Sequence, residues 1–151
     1  MADDKPLFVE AASVLHYRYA AGEHGTRFLQ ALAGRKILGS RCAACGWTLV
    51  PPRVACAGCF RRMTEIVEVP PTGTLVAYTQ VTFPFIDPFT GETRPIPYCY
   101  GMVRFDGTHN TFQYFLEEKD VGKLRPGLRV EAVFREAREG AIRDIVHFRT
   151  C

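Results

Sequence analysis

Alternation of apolar and polar positions dominates the second half of the chain. Across residues 74–83, Leu75, Ala77, Thr79 and Val81 share one side, and Val76, Tyr78, Gln80 and Thr82 the other. That period of two is the signature of a strand with one face on a core. Residues 97–105 and 111–116 read as strands on either side of Asp106-Gly107-Thr108-His109-Asn110, whose Asp-Gly pair is a strong hairpin signal. Residues 117–123 are polar and fit one helical turn, and Pro126-Gly127 is a turn. Residues 128–135 and 141–148 add two strands joined around Arg138-Glu139-Gly140. Five short strands of this kind suit a small Greek-key barrel such as an OB-fold, and the pattern supports a small β-barrel better than any one named topology.

The first half follows other periods. Residues 9–19 fit neither period cleanly, but Leu15, Tyr17 and Tyr19 alternate with His16 and Arg18, which favours an extended arm. Residues 26–33 read as a short helix capped by Thr26, with Phe28, Leu29 and Leu32 on one face and Gly34 at its end. Residues 35–41 read as a strand. Pro51 and Pro52 mark a hairpin turn or an edge, because proline cannot donate inside a ladder. Pro70-Pro71-Thr72-Gly73 reads as a boundary. One loop interrupts the β pattern: residues 83–97 hold four prolines together with Phe83, Phe85 and Phe89. Long loops in compact domains often carry function. These phenylalanines either fold over the barrel or face a partner or ligand.

Between the halves lies Cys42-Ala-Ala-Cys45, ten residues, then Cys56-Ala-Gly-Cys59. Two such turns can each aim two thiolates at one cation, and together they complete a tetrahedron. Gly46 suits the left-handed backbone that follows such a turn. Four thiolates close the shell and leave no position for water or substrate, so the metal expected at Cys42, Cys45, Cys56 and Cys59 is a structural Zn²⁺. Two disulfides are the alternative. The opening Met-Ala-Asp-Asp-Lys-Pro has no apolar stretch, so a reducing, cytoplasmic location is expected and the disulfide alternative is disfavoured. The organisation expected is an arm and short helix over 1–38, a zinc ribbon over 39–69 and a barrel over 70–151.

Composition narrows the function. Of 151 residues, 47% are hydrophobic and 23% charged, an ordinary globular balance, and no apolar run nears the ~20 residues that span a bilayer. The net charge of +3 is unevenly placed: residues 41–69 carry four basic and two acidic side chains, whereas 70–151 carry ten of each. Single-stranded nucleic acid is the alternative ligand of such a protein, with Tyr78, Tyr98, Tyr100 and Tyr114 available to stack bases. The neutral barrel argues against it. An iron-bearing electron carrier is a third possibility, which the colour of the protein would decide. Cys99 reads as a small buried hydrophobe, and Cys151 is terminal. His16, His24, His109 and His147 show no spacing to a nucleophile, and Asp87 and Glu92 read as exposed loop acids. Without an acid–base constellation, catalysis by this chain alone is not expected.

Taken in order, Arg41-Cys42-Ala-Ala-Cys45-Gly46, Pro51-Pro52-Arg53, Cys56-Ala-Gly-Cys59 and Gly73-Thr-Leu-Val-Ala resemble the acyl-CoA-associated proteins that join a rubredoxin-like zinc ribbon to an OB-fold. The resemblance runs from about residue 26 to the end of the chain. Many relatives have proline where this chain has Ala57, a change outside the ligand set. The resemblance implies a non-catalytic accessory subunit in a hetero-oligomer. Its expected partner is a thiolase-fold catalytic subunit, or a hydratase or aldolase acting on CoA thioesters. The long N-terminal arm is similar to that of small subunits of aromatic-acid-type thiolases, the benzoylsuccinyl-CoA thiolase among them. An acyl-CoA thioester shared with the partner is the implied ligand. Its phosphates attract Arg and Lys, so Arg35, Lys36, Arg53, Arg61 and Arg62, with Phe83, Phe85 and Phe89, are the candidate CoA or partner contacts. Each of those cations taken singly reads better as an ordinary solvated charge.

Overall fold

The structure is a computed structural model that describes residues 18–84, 86, 91 and 93–151. Most of the expected arm, together with Phe85 and Phe89, lies outside the described residues.

Helix α1 spans Gly22–Ala33, four residues longer at its start than the Thr26 cap implied. Its N-cap is Ala21, with no side-chain hydrogen bond, and Glu23 pairs with Arg27 one turn on at 2.8 Å. Phe28 and Leu32 are buried, so the expected apolar face is the packed one. The helix does not end on a left-handed glycine. Gly34 has φ −89°, and the left-handed residue is Arg35 at φ 59°. The Arg35 amide donates to the Leu32 carbonyl and the Lys36 amide to that of Ala31, the double closure of a Schellman motif. Arg138 donates from Nε to the Ala33 carbonyl at 2.8 Å, which ties this end to the barrel.

Strands β1 (Ile37–Arg41), β2 (Thr48–Leu49) and β3 (Glu65–Val69) form an antiparallel sheet in the order β2-β1-β3. Only Pro70 and Pro71 separate β3 from β4 (Thr72–Val81), so the expected four-residue boundary is half that length. Gly73 is part of the strand for a packing reason: a Cβ there would sit 2.4 Å from the Arg104 carbonyl oxygen. β5 (Tyr98–Phe105) and β6 (Phe112–Leu116) follow, then β7 (Arg129–Phe134) and β8 (Ile145–Thr150). They close a barrel in the order β4-β5-β6-β8-β7. Neighbours are antiparallel except β6 and β8, which run parallel through Leu116 and Phe148. The fold is therefore mainly β, with one helix, a cysteine-rich ribbon and the expected five-stranded OB-type barrel.

Alternate positions of β5 point inward, so Cys99, Gly101, Val103 and Phe105 are buried. The rings of Phe105, Phe112 and Phe148 meet at centroid distances of 5.5–6.3 Å and fill the interior with Leu75, Val130 and Ile145. The last strand starts later than its sequence pattern implied, because Asp144 organises a 3-10 turn at Ile142–Asp144. Its fully buried carboxylate accepts amides of Glu139, Gly140 and Ala141 and the Arg135 guanidinium at 2.7–2.8 Å. Although burial opposes it, those donors hold its pKa below the usual carboxylate range. No helix among the described residues is long and apolar enough to cross a membrane.

Candidate metal centre

The two Cys-x-x-Cys turns repeat one backbone pattern. Gly46 donates to the Cys42 carbonyl at 2.8 Å, and Phe60 to that of Cys56 at 2.9 Å. The Cys42 amide returns to the Trp47 carbonyl at 2.8 Å, and the Cys56 amide to that of Arg61 at 2.9 Å. Each turn needs a left-handed residue after its second cysteine. Gly46 meets that need at φ 78°, but the second turn places Phe60 there at φ 59°. A non-glycine residue in that region costs about 1–2 kcal/mol, and the Phe60 ring recovers little of it because it is 84% exposed.

These turns gather the Sγ atoms of Cys42, Cys45, Cys56 and Cys59 within 4.8 Å of one another. Two of the edges, Cys42–Cys59 and Cys45–Cys56, measure 3.5 Å. A tetrahedron with metal–sulfur bonds of about 2.3 Å has edges of about 3.8 Å, so the donor set fits Zn²⁺. Without a cation the four sulfurs compete for charge. The Cys45 amide holds Cys42 down at about 7, while Cys45, although the Trp47 amide lowers it, is pushed up to about 12 by desolvation and by the other three sulfurs. A divalent ion removes that conflict by stabilising all four thiolates at once.

Behind the sulfurs, Leu49 and Met63 form a small core of their own. Ser40 is fully buried on β1; its hydroxyl accepts the Arg53 amide at 2.8 Å and meets the Met63 sulfur at 3.5 Å. That bond fixes the spacer that carries the chain to the second turn.

The β5–β6 loop reaches from the barrel onto this ribbon. The His109 amide donates to the Thr48 carbonyl at 2.9 Å, and His109 Nδ1 accepts the Thr48 amide at 3.1 Å, so Nδ1 carries no proton. Asn110 Oδ1 accepts the Val50 amide at 2.9 Å, and its Nδ2 donates to the Val50 carbonyl at 2.6 Å. His109 thus satisfies β2 itself and Asn110 the residue that follows it. Trp47 stacks on His109 with centroids 5.4 Å apart and planes 19° apart. A Cβ on Gly58 would lie 3.0 Å from the same indole, so the second turn is closed against Trp47 as well. The sequence reading missed Trp47, His109 and Asn110. The available signal was loop length: a turn needs only Asp106-Gly107, and the extra residues bring hydrogen-bonding side chains.

The candidate CoA or partner residues are spread over the surface. Arg35 closes α1, and Lys36 is paired with Glu68 at 2.9 Å. Arg53, Arg61 and Arg62 are exposed on the ribbon, and none pairs with a carboxylate among the described residues. Phe83 is 63% exposed. Cys99 is buried on β5, and desolvation pushes its thiol up, which makes it a poor nucleophile.

A four-thiol site on a ribbon, clamped to an OB barrel, defines a zinc-ribbon/OB-fold protein. Two family models, consecutive along the chain, match it: the rubredoxin-like zinc ribbon domain of ChsH2 over residues 29–65, and the C-terminal OB-fold domain of ChsH2 over residues 66–135. The chain belongs to the ChsH2 family. Two solved structures share its fold. One, described as the Ltp2-ChsH2(DUF35) aldolase, aligns with a TM-score of 0.65 at 22% identity, covering 88% of this chain and 98% of that one. The other, a DUF35-family protein of unknown function from Sulfolobus solfataricus, aligns with a TM-score of 0.59 at 21% identity, covering 85% and 84%.

Proposed function

We propose that this chain is a non-catalytic, zinc-containing accessory subunit of a thiolase-type acyl-CoA enzyme. It docks on the catalytic subunit in the cytoplasm and helps form the acyl-CoA site. Cys42, Cys45, Cys56 and Cys59 would hold a structural Zn²⁺, whose chemistry is confined to fixing the ribbon. The observation that carries the reading is the ribbon tip. Phe60 is 84% exposed and Val54 55% exposed, and Arg53, Arg61 and Arg62 lie close by in sequence without acidic partners among the described residues. A strained, exposed phenylalanine on a rigid base is the kind of aromatic anchor that interfaces bury. On the barrel, Phe83, Ile86 and Ile96 are also exposed, which favours the partner-facing reading of the 83–97 loop.

The family supports an assembly role, since one fold relative is described together with Ltp2 as an aldolase. That description favours a second reading in which the catalytic partner is an aldolase acting on a CoA thioester. Both readings predict co-purification when this chain is co-expressed with a thiolase- or aldolase-like protein encoded beside it. A catalytic subunit that is stable and fully active alone, with no complex on size exclusion, overturns the proposal. Strong, salt-sensitive retention on single-stranded DNA would instead support the nucleic-acid alternative.

A further inference from the structure

A cavity of about 300 Å³ opens on the barrel, and none of its lining residues belongs to the ribbon. Arg94 and Pro95 border it on one side, Tyr98 and Phe115 form its aromatic wall, and Val146 and His147 lie on β8. Phe115 is held by three edge-on rings, Tyr98, Tyr100 and Tyr114, at 5.1–5.7 Å. The Arg94 guanidinium lies over the Phe115 ring, 3.7 Å from its centroid. Stacking uses the flat face of the guanidinium and leaves its N–H edge free to donate.

Charge at the rim is unbalanced. Arg94 and Lys119 have no carboxylate partner among the described residues. The one lining acid, Glu117, faces His147 at 3.5 Å. Lys119 is nevertheless held in place, since its carbonyl accepts Gln80 Nε2 at 2.8 Å and lies 3.5 Å from the Cys99 sulfur. The cavity therefore offers a forked donor and a second cation beside an aromatic and aliphatic wall. Its volume equals about ten waters, too small for a whole coenzyme or a dinucleotide.

The geometry points to a binding site for a small aromatic monocarboxylate, with the carboxylate on the Arg94 edge and the ring against Tyr98 and Val146. The site goes beyond the accessory role, needing neither the metal nor a partner subunit. Sodium benzoate is the probe, titrated into the full-length protein by calorimetry and ligand-observed NMR. Saturable one-to-one binding is expected. Benzamide, with the same ring and no charge, should not saturate the site. Arg94→Gln should weaken benzoate by about tenfold or more. Val146→Phe, which fills the cavity from a strand and leaves Arg94 intact, should abolish binding, and it serves as the readout if Arg94→Gln melts early. Absence of saturable benzoate binding, equal binding of benzamide, or wild-type affinity in Val146→Phe each overturns the proposal. Saturable binding of adenosine monophosphate that is lost in Arg94→Gln, without benzoate binding, overturns it in favour of base stacking.

Discussion

Replacing Asn110 by alanine removes both of its hydrogen bonds to the ribbon, those to the Val50 amide and carbonyl at 2.9 and 2.6 Å, along with a longer one to the Thr111 carbonyl. Val50 is 1% exposed, so water cannot take over either group. An unsatisfied buried backbone group costs about 1–3 kcal/mol, so Asn110→Ala should lose roughly 2–4 kcal/mol. For a chain of this size each kcal/mol moves Tm by about 2–4 °C, which places the expected drop at roughly 5–15 °C. Trp47 is the only tryptophan and stacks on the neighbouring His109, so its fluorescence reports the ribbon face of the contact. Far-UV dichroism reports mainly on the barrel. In urea the two probes should coincide for the wild type and separate in Asn110→Ala, with Trp47 responding first. A variant within about 0.5 kcal/mol of wild type, with unchanged Trp47 emission, would refute the idea that this loop clamps the ribbon.

Other outcomes follow from the same geometry. Cys56→Ser should abolish the one-to-one zinc content measured by elemental analysis, and it should unfold the ribbon because metal-binding energy in so small a sheet is folding energy. Phe60→Gly should stabilise the isolated chain by up to about 1 kcal/mol in urea by relieving the left-handed backbone, yet weaken any complex that buries this ring. Asp144→Asn should cost about 3–5 kcal/mol, since an amide cannot accept three amides and a guanidinium, and thermal melting would show it. Asp106 accepts a forked pair from Arg129 and a bond from Thr72, and its pKa falls from 3.8 to about 2. A lowered carboxylate stabilises the fold fully above about pH 4 and loses that contribution as pH falls toward 2. Solvent screening keeps it under about 1 kcal/mol, so the acid limb of the Tm–pH curve should be slightly shallower in Asp106→Asn.

The cysteine pairs and the barrel were legible because their signals are local. A Cys-x-x-Cys turn is complete within a few residues, and alternation beside Asp-Gly or Pro-Gly shows without knowing what lies opposite. What escaped was set at a distance. The helix ends on Arg35 because Arg138 and the ladder to β3 fix the exit of the chain, overriding the better intrinsic choice of Gly34. β2 was unreadable because two residues carry no period; it pairs with β1 on one side, and Asn110 and His109 secure the backbone at and just after it. The late start of β8 depends on one buried carboxylate, and no pattern in residues 141–144 marks Asp144 as structural.

The clamp lies sixty residues downstream of the strand it holds. At ordinary elongation rates those residues take several seconds to synthesise. During that interval both knuckles exist and the loop that secures them does not. Metal capture by the nascent chain therefore depends on the four thiols alone. A chain completed without metal would present His109 and Asn110 to an unformed strand, so scarcity of metal at translation should leave a folded barrel carrying an unfolded ribbon.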